Sequence, residues 1–357
     1  MKKIINLLAL IFAVNIVFSQ VDFKQGTVAE ILAMAKQQNK PVMVDVMTDW
    51  CVWCIELDNL VYVRQEIYEY ANNNQINYKI DAEKGEGVEF AKKYKVNGYP
   101  AILFLDGDGV EIDRINGYFP VAQFKRFMED YSKGINTTKD LEAKLKTEPD
   151  NIEVNYKSGE KKMYSEKQAE AKNHFQKIID LDPDNKSGRK DDAEFLIADM
   201  SDKDNIAKNL EAFIINNPSS DVLKDAYVEI VFTYINTLNN IPGAEKWVNE
   251  ALSKYPDDEA VRIVYSRYLN AGARTIAKDS TSREDDYKNA LSILEKSLTY
   301  SKNSTAAAQA YYWQSVLYFN LKDYQKSMES INNAIGIFNH KTYREQKAKV
   351  EKQLSSK

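Results

Sequence analysis

The rhythm of apolar and polar positions changes once along this chain, near residue 136. Before that point, helical and strand periods alternate. Thr27 to Gln38 puts Val28, Ile31, Leu32 and Ala35 on one face, which predicts an amphipathic helix opened by a threonine cap. Pro41 to Met47 is a short apolar run of buried-strand length. Trp50 to about Asn72 reads as a helix beginning at two cysteines. Ile76 to Ile80 and Ala101 to Leu105 read as further strands, with a helical stretch from Glu86 to Tyr94 between them. Asp106-Gly-Asp-Gly109 predicts a hairpin turn into a returning strand, Val110 to Ile115. Pro120 to Tyr131 closes the series as a helix.

After Asn136 the strand pattern stops, and Lys, Asp, Glu, Ala, Tyr and Leu dominate. Prolines fall at Pro149, Pro183, Pro218 and Pro256, in steps of 34, 35 and 38 residues. Small and apolar residues recur at helical spacing between them. Ala171, Phe175 and Ile178 match Ala244, Val248 and Ala251; Ala290, Leu294 and Ser297 repeat the set, as do Ser327, Ile331 and Ala334. A small residue lets two helices cross closely, and larger ones fill the seam to the next pair. With a period near 34, residues 140–340 resemble tetratricopeptide repeats. The Ser187–Pro218 unit departs from the pattern, with Ile206 at the small position, and 278–285 interrupts the period. The count is five helix pairs and a capping helix near Lys341 to Leu354.

The 357 residues suit two domains, and 44% hydrophobic content suits packed cores. A net charge of -5, with acids and bases interspersed, argues against a nucleic-acid partner, which needs a basic face. Lys2 and Lys3 precede a run, Ile4 to Phe18, that is apolar except for Asn6 and Asn15. That run falls short of the roughly 20 residues that span a bilayer. Residues 1–19 are therefore expected to be a signal peptide cleaved before Gln20. No later segment is apolar enough to span, so the expected location is periplasmic or secreted. The expected division is residues 1–19 as signal peptide, 20–135 as an α/β domain and 136–357 as a helical repeat domain.

The whole chain contains two cysteines, Cys51 and Cys54. An exported protein stapled by disulfides spreads its cysteines to close long loops. A loop this short gains little from closure, so the pair points to chemistry. At a helix start, unpaired N–H groups stabilise a thiolate on the first sulfur. That thiolate can attack a disulfide, and the second sulfur can resolve the mixed disulfide. Cys51 is thus the expected nucleophile, exposed and of low pKa, and Cys54 the buried resolving thiol. Zinc would need about four ligands. The only histidines, His174 and His340, lie among the repeats, so no metal site and no cofactor are expected.

Residues 22–133 resemble the thioredoxin family. The likeness rests on Val42 to Asp45 leading into Trp50-Cys51-Val52-Trp53-Cys54, then Ile80-Asp81, Gly98-Tyr99-Pro100 and Gly117. The expected fold is an α/β thioredoxin-like domain followed by an all-α tetratricopeptide-like repeat domain. The resemblance implies that Pro100 is cis, faces the cysteines and presents the Tyr99 backbone for strand-like pairing with substrate. It also implies that Asp45 is a buried acid relaying a proton for Cys54. A lysine that often accompanies this acid is expected on the next strand, where Asn77 stands instead. Val52 and Trp53 replace the common Gly-Pro, so the direction of electron flow does not carry over. Trp50 and Trp53 are read as substrate-facing surface or as simple packing.

The function expected is exchange of electrons with protein disulfides or dithiols, with the repeats recruiting a protein or peptide. The alternative is a scaffold or assembly protein whose redox pair is regulatory.

Overall fold

In the computed structural model, residues 20–165 and 167–355 are described; the expected leader, residues 1–19, lies outside them. The first half is a five-stranded sheet. Its strands are β1 (Phe23–Lys24), β2 (Val42–Met47), β3 (Ile76–Asp81), β4 (Ala101–Leu105) and β5 (Glu111–Asn116), in spatial order β1-β3-β2-β4-β5. The β1–β3 and β3–β2 pairs are parallel, and β2–β4 and β4–β5 are antiparallel. The two-residue edge strand β1 carries too short a pattern to be read from sequence.

Helices cover both faces. Helix α1 (Val28–Gln38) is opened by Thr27, whose hydroxyl accepts from Glu30 N–H while Glu30 reaches back to Thr27. With α4 (Gly87–Lys93) it packs on Val42, Val44 and Val46. The two-residue strand period sends Met43 and Asp45 to the opposite face. There they meet the core formed by α3 (Gln65–Asn74), α5 (Val121–Ser132) and the segment carrying the cysteines.

That segment is not one helix from Trp50 to Asn72. Helix α2 (Val52–Glu56) runs into a π-helical turn, Leu57–Val61, and the chain breaks before α3. Tyr62 N–H donates to Leu57 C=O at 2.8 Å, and Tyr62 C=O accepts from Val21 at 2.9 Å. The turn drives the Tyr62 ring between Phe23 and Phe124, with centroids 5.1 and 5.7 Å away. Burial of this ring wins over helix continuation, with neither glycine nor proline to mark the break.

The second half is helical throughout its described residues. It comprises α6 (Thr138–Thr147), α7 (Ile152–Met163), α8 (Gln168–Leu181), α9 (Lys190–Asp199), α10 (Ile206–Asn216), α11 (Leu223–Phe232), α12 (Ile241–Lys254), α13 (Glu259–Lys278), α14 (Glu284–Tyr300), α15 (Thr305–Asn320), α16 (Tyr324–Ile337) and α17 (Lys341–Ser355). Helices α7/α8, α9/α10, α11/α12, α13/α14 and α15/α16 pack as consecutive pairs, with α17 against the last and α6 ahead of the first. The recurring small and apolar residues on α8, α12, α14 and α16 are fully buried at these crossings. Helices α7 and α8 approach closely at Gly159, where an added Cβ would sit 2.6 Å from the Phe175 ring.

The helical array touches the sheet domain twice. Near its start, Lys161 pairs with Asp113 at 2.7 Å and Arg126 with Glu160 at 2.7 Å, and the Tyr164 ring covers Phe119 at 4.6 Å. The array then curls so that α11, α13 and α15 return to α2. Val52 and Ile55 pack into the cluster of Ala308 and Ile331, and Arg64 pairs with Glu259.

Candidate active site

Strand β2 ends at Met47, and a short loop carries the chain to Cys51, which caps α2. The cysteines are joined as a disulfide. Cys54 N–H donates to the Cys51 sulfur at 3.1 Å. Such a donor at a helix start also favours a thiolate on that sulfur once the bond is reduced. Cys51 is 4% exposed and Cys54 1%. The expectation of an exposed Cys51 is therefore corrected: in the disulfide form both residues are buried, because α2 is packed from the sheet side and from the helical array.

Antiparallel pairing sets Ala101 opposite Val46, so Pro100 lies level with Met47 at the end of the sheet from which the cysteine loop leaves. The Tyr99–Pro100 bond is cis, and Pro100 C=O accepts from Gly117 N–H at 2.9 Å. Gly117 has φ +94, a conformation that suits glycine. The Trp50 ring meets Tyr99 edge-on at 5.9 Å, and its N–H donates to Glu83 at 3.0 Å. Trp50 is 55% exposed and forms the open rim of the site.

Asp45 is fully buried on the cysteine-helix side of the sheet. The parallel register pairs it with Lys79, whose Nζ lies 3.2 Å from its carboxylate. The lysine expected two residues earlier is thus present, and the reading of Asn77 in its place is corrected. Asn77 is level with Met43, and its side chain accepts from Gln75 and donates to Asn72. Lys79 also pairs with Asp58 on the π turn and lies over the rings of Phe23 and Tyr62. Burial raises the Asp45 pKa; Lys79 opposes this, and Asp58 adds to it. Burial also works against the Lys79 charge, but Asp45 and Asp58 together hold its pKa above the ordinary value. Asp45, Lys79 and Asp58 form a chain of charges from the core to the surface.

Trp53 is 38% exposed and faces the helical array. Its ring stacks on Tyr118 at 5.4 Å, tilts against Phe232 of α11 at 6.3 Å and lies 5.8 Å from the Arg267 guanidinium of α13. Of the seven residues singled out from sequence, Cys51, Cys54, Trp50, Tyr99 and Pro100 gather at one end of the sheet. Asp45 lies in the core, and Trp53 lies in the crease between the two halves. Tyr118, Phe232, Arg267 and Glu56 were not read from sequence. A carboxylate in the run Cys54-Ile-Glu-Leu57 is a signal for Glu56; Arg267, 211 residues further on, has none.

Among the described residues, Asp191, Asp192 and Asp221 bring carboxylates within 4.8 Å of one another. Arg189 already pairs with Asp192 at 2.7 Å and Asn185 donates to Asp191 at 2.8 Å. Among the described residues, no helix is long and apolar enough to cross a membrane.

Residues 28–132 match the profile of the thioredoxin-like domain, and residues 308–340 match that of the tetratricopeptide repeat. The chain is 34% identical over 100 residues to thiol:disulfide interchange protein DsbD of Yersinia pestis (strain Pestoides F), covering 27% of this chain and 17% of that protein. It is 28% identical over 102 residues to disulfide bond reductase DsbH of Chlamydia pneumoniae, covering 26% and 61%. The matched stretch thus spans less than two thirds of either relative. A crystal structure of a tetratricopeptide repeat protein from Parabacteroides merdae ATCC 43184 aligns with a TM-score of 0.37 at 11% identity, covering 65% of this chain and 82% of that one. The protein therefore has a thioredoxin-like domain homologous to thiol–disulfide oxidoreductases, followed by tetratricopeptide repeats.

Proposed function

We propose that this protein is an exported thiol–disulfide oxidoreductase acting on protein disulfides. In the reductive direction, the Cys51 thiolate attacks one sulfur of a substrate disulfide. A mixed disulfide forms, and the leaving substrate thiolate takes a proton. Cys54, deprotonated with the help of Asp45, then attacks the Cys51 sulfur. The second substrate thiol departs, and Cys51 and Cys54 end as a disulfide, having given up two electrons. A dithiol donor restores the pair. The same steps in reverse oxidise a dithiol.

The observation that carries this reading is the Cys51–Cys54 disulfide at the start of α2, with Cys54 N–H on the Cys51 sulfur. The buried Asp45, and Pro100 at the end of the sheet from which the cysteine loop leaves, add support. The repeats are assigned the task of holding a substrate or partner protein near Trp50 and Tyr99. Export rests on the leader read from residues 1–19.

The test is turnover on a protein disulfide with a small dithiol as electron source. The full chain should reduce it, and Cys51→Ser should abolish turnover. A Cys51→Ser protein that kept its full biological activity would favour the scaffold reading instead.

A further inference from the structure

Glu56 lies two residues beyond Cys54 on α2, and its side chain is 2% exposed. A buried carboxylate is costly unless it is paired and hydrogen-bonded. Every partner its Oε1 has comes from the helical array. Arg267 Nη2 lies 2.9 Å away, Thr305 N–H donates at 3.2 Å, and the Thr305 hydroxyl donates as well. Arg267 also donates to the Thr305 hydroxyl at 3.1 Å. Thr305 opens α15, so the carboxylate also sits at a helix N-terminus, where negative charge is favoured. The other oxygen, Oε2, is buried without a hydrogen bond.

An apolar pair would join α2 to α13 and α15 equally well, since buried ion pairs seldom stabilise more than packed hydrophobes do. What distinguishes the ion pair is its place. Glu56 is five residues from Cys51, roughly 7.5 Å along the helix axis. Arg267 reaches past it to lie over Trp53, one of the two residues between the cysteines.

We propose that Arg267, supplied by the repeat domain, is a positioning residue for the cysteine pair. It neutralises Glu56 beneath α2 and locks that helix against the array, so that the thiolate of Cys51 faces no uncompensated charge from below. The inference rests on the reading of Cys51 as the nucleophile. It makes the helical array part of the redox centre as well as a place for partners to bind.

The two charges act on the Cys51 thiolate with opposite sign. Arg267→Met leaves Glu56 unpaired and should raise the Cys51 pKa. Glu56→Gln leaves Arg267 unpaired and should lower it. At this separation each shift should be about one unit, a tenfold change in thiolate below the midpoint. Glu56→Gln with Arg267→Met should return the midpoint close to that of the unaltered protein. The other charged groups around α2 are common to all these variants. They are Asp45 with Lys79 and Asp58, Arg64 paired with Glu259, Asp49 paired with Lys84, Glu83 on the Trp50 ring N–H, and the Tyr118 phenol beside Glu56.

The experiment is the rate of iodoacetamide alkylation of the reduced full chain against pH, with the labelled cysteine mapped by mass spectrometry. Opposite shifts in the single variants and recovery in the double support the proposal. Shifts in the same direction, or none above about 0.3 unit, overturn it, since loosened packing alone would move both variants alike. If Arg267→Met does not fold, Glu56→Gln must still lower the midpoint and the double variant must still restore it; otherwise the proposal fails. Labelling of Cys54 ahead of Cys51 would overturn the assignment of the nucleophile itself, an outcome told apart by the mapped site.

Discussion

Asp45 and Lys79 stand opposite each other on adjacent parallel strands, with the fully buried carboxylate 3.2 Å from the lysine nitrogen. Burial raises the Asp45 pKa, so the folded state holds the proton more tightly than the unfolded chain does. Stability from this group is present below the ordinary carboxylate pKa and is lost as pH rises through the folded value. Asp45→Asn removes that loss and leaves Lys79 paired with Asp58. The variant should therefore melt higher than the unaltered protein at pH 8. Its turnover on a protein disulfide should fall at least about tenfold if Asp45 takes the Cys54 proton. A variant with unchanged turnover would leave Asp45 without a role in proton transfer.

A second prediction concerns the boundary, which we propose near residue 135. The Tyr164 ring and the Lys161–Asp113 pair cover the sheet domain from α7. A fragment of residues 20–135 should fold, yet melt at least about 4 °C below one extending to residue 181. Equal melting temperatures would mean that α7 adds nothing to the sheet domain. An unfolded shorter fragment would move the boundary.

Where local chemistry decides, the sequence is legible. The Thr27 cap and the apolar face of Val28, Ile31, Leu32 and Ala35 announce the first helix, the apolar run Pro41 to Met47 announces a buried strand, and Ala171, Ala244 and Ala290 announce helix crossings. Where the decision is tertiary, it is not. The break after α2 comes from burying Tyr62, and nothing in residues 57–64 signals it. The partner of Asp45 was misplaced by two residues, because strand register depends on where β2 and β3 begin to pair. The contacts of Trp53 with Phe232 and Arg267 follow from the curvature of the whole array, which no local pattern carries.

A third prediction follows from two half-buried acids facing each other across α9 and α11. Burial and the charge of Asp199 raise the Glu229 pKa to about 7, and burial raises that of Asp199 to about 6. Both folded values lie above the ordinary ones, so the pair favours the native state at low pH and loses that contribution as pH rises through 6 and 7. Glu229→Gln should stabilise the protein at pH 8 by about 1 kcal/mol, some 2–4 °C, and change little at pH 5. The check is a thermal melt at each pH. An equal shift at both would mean that the pair does not share a proton near neutrality.

In the proposed reaction Cys51 attacks and Cys54 resolves. Its most direct test is to mix reduced Cys54→Ser protein with a protein disulfide and map the adducts by mass spectrometry. A mixed disulfide through Cys51 is expected to persist until an external dithiol is added, with far less adduct from Cys51→Ser. No adduct at Cys51, or an equal yield through Cys54 in Cys51→Ser, would contradict this assignment.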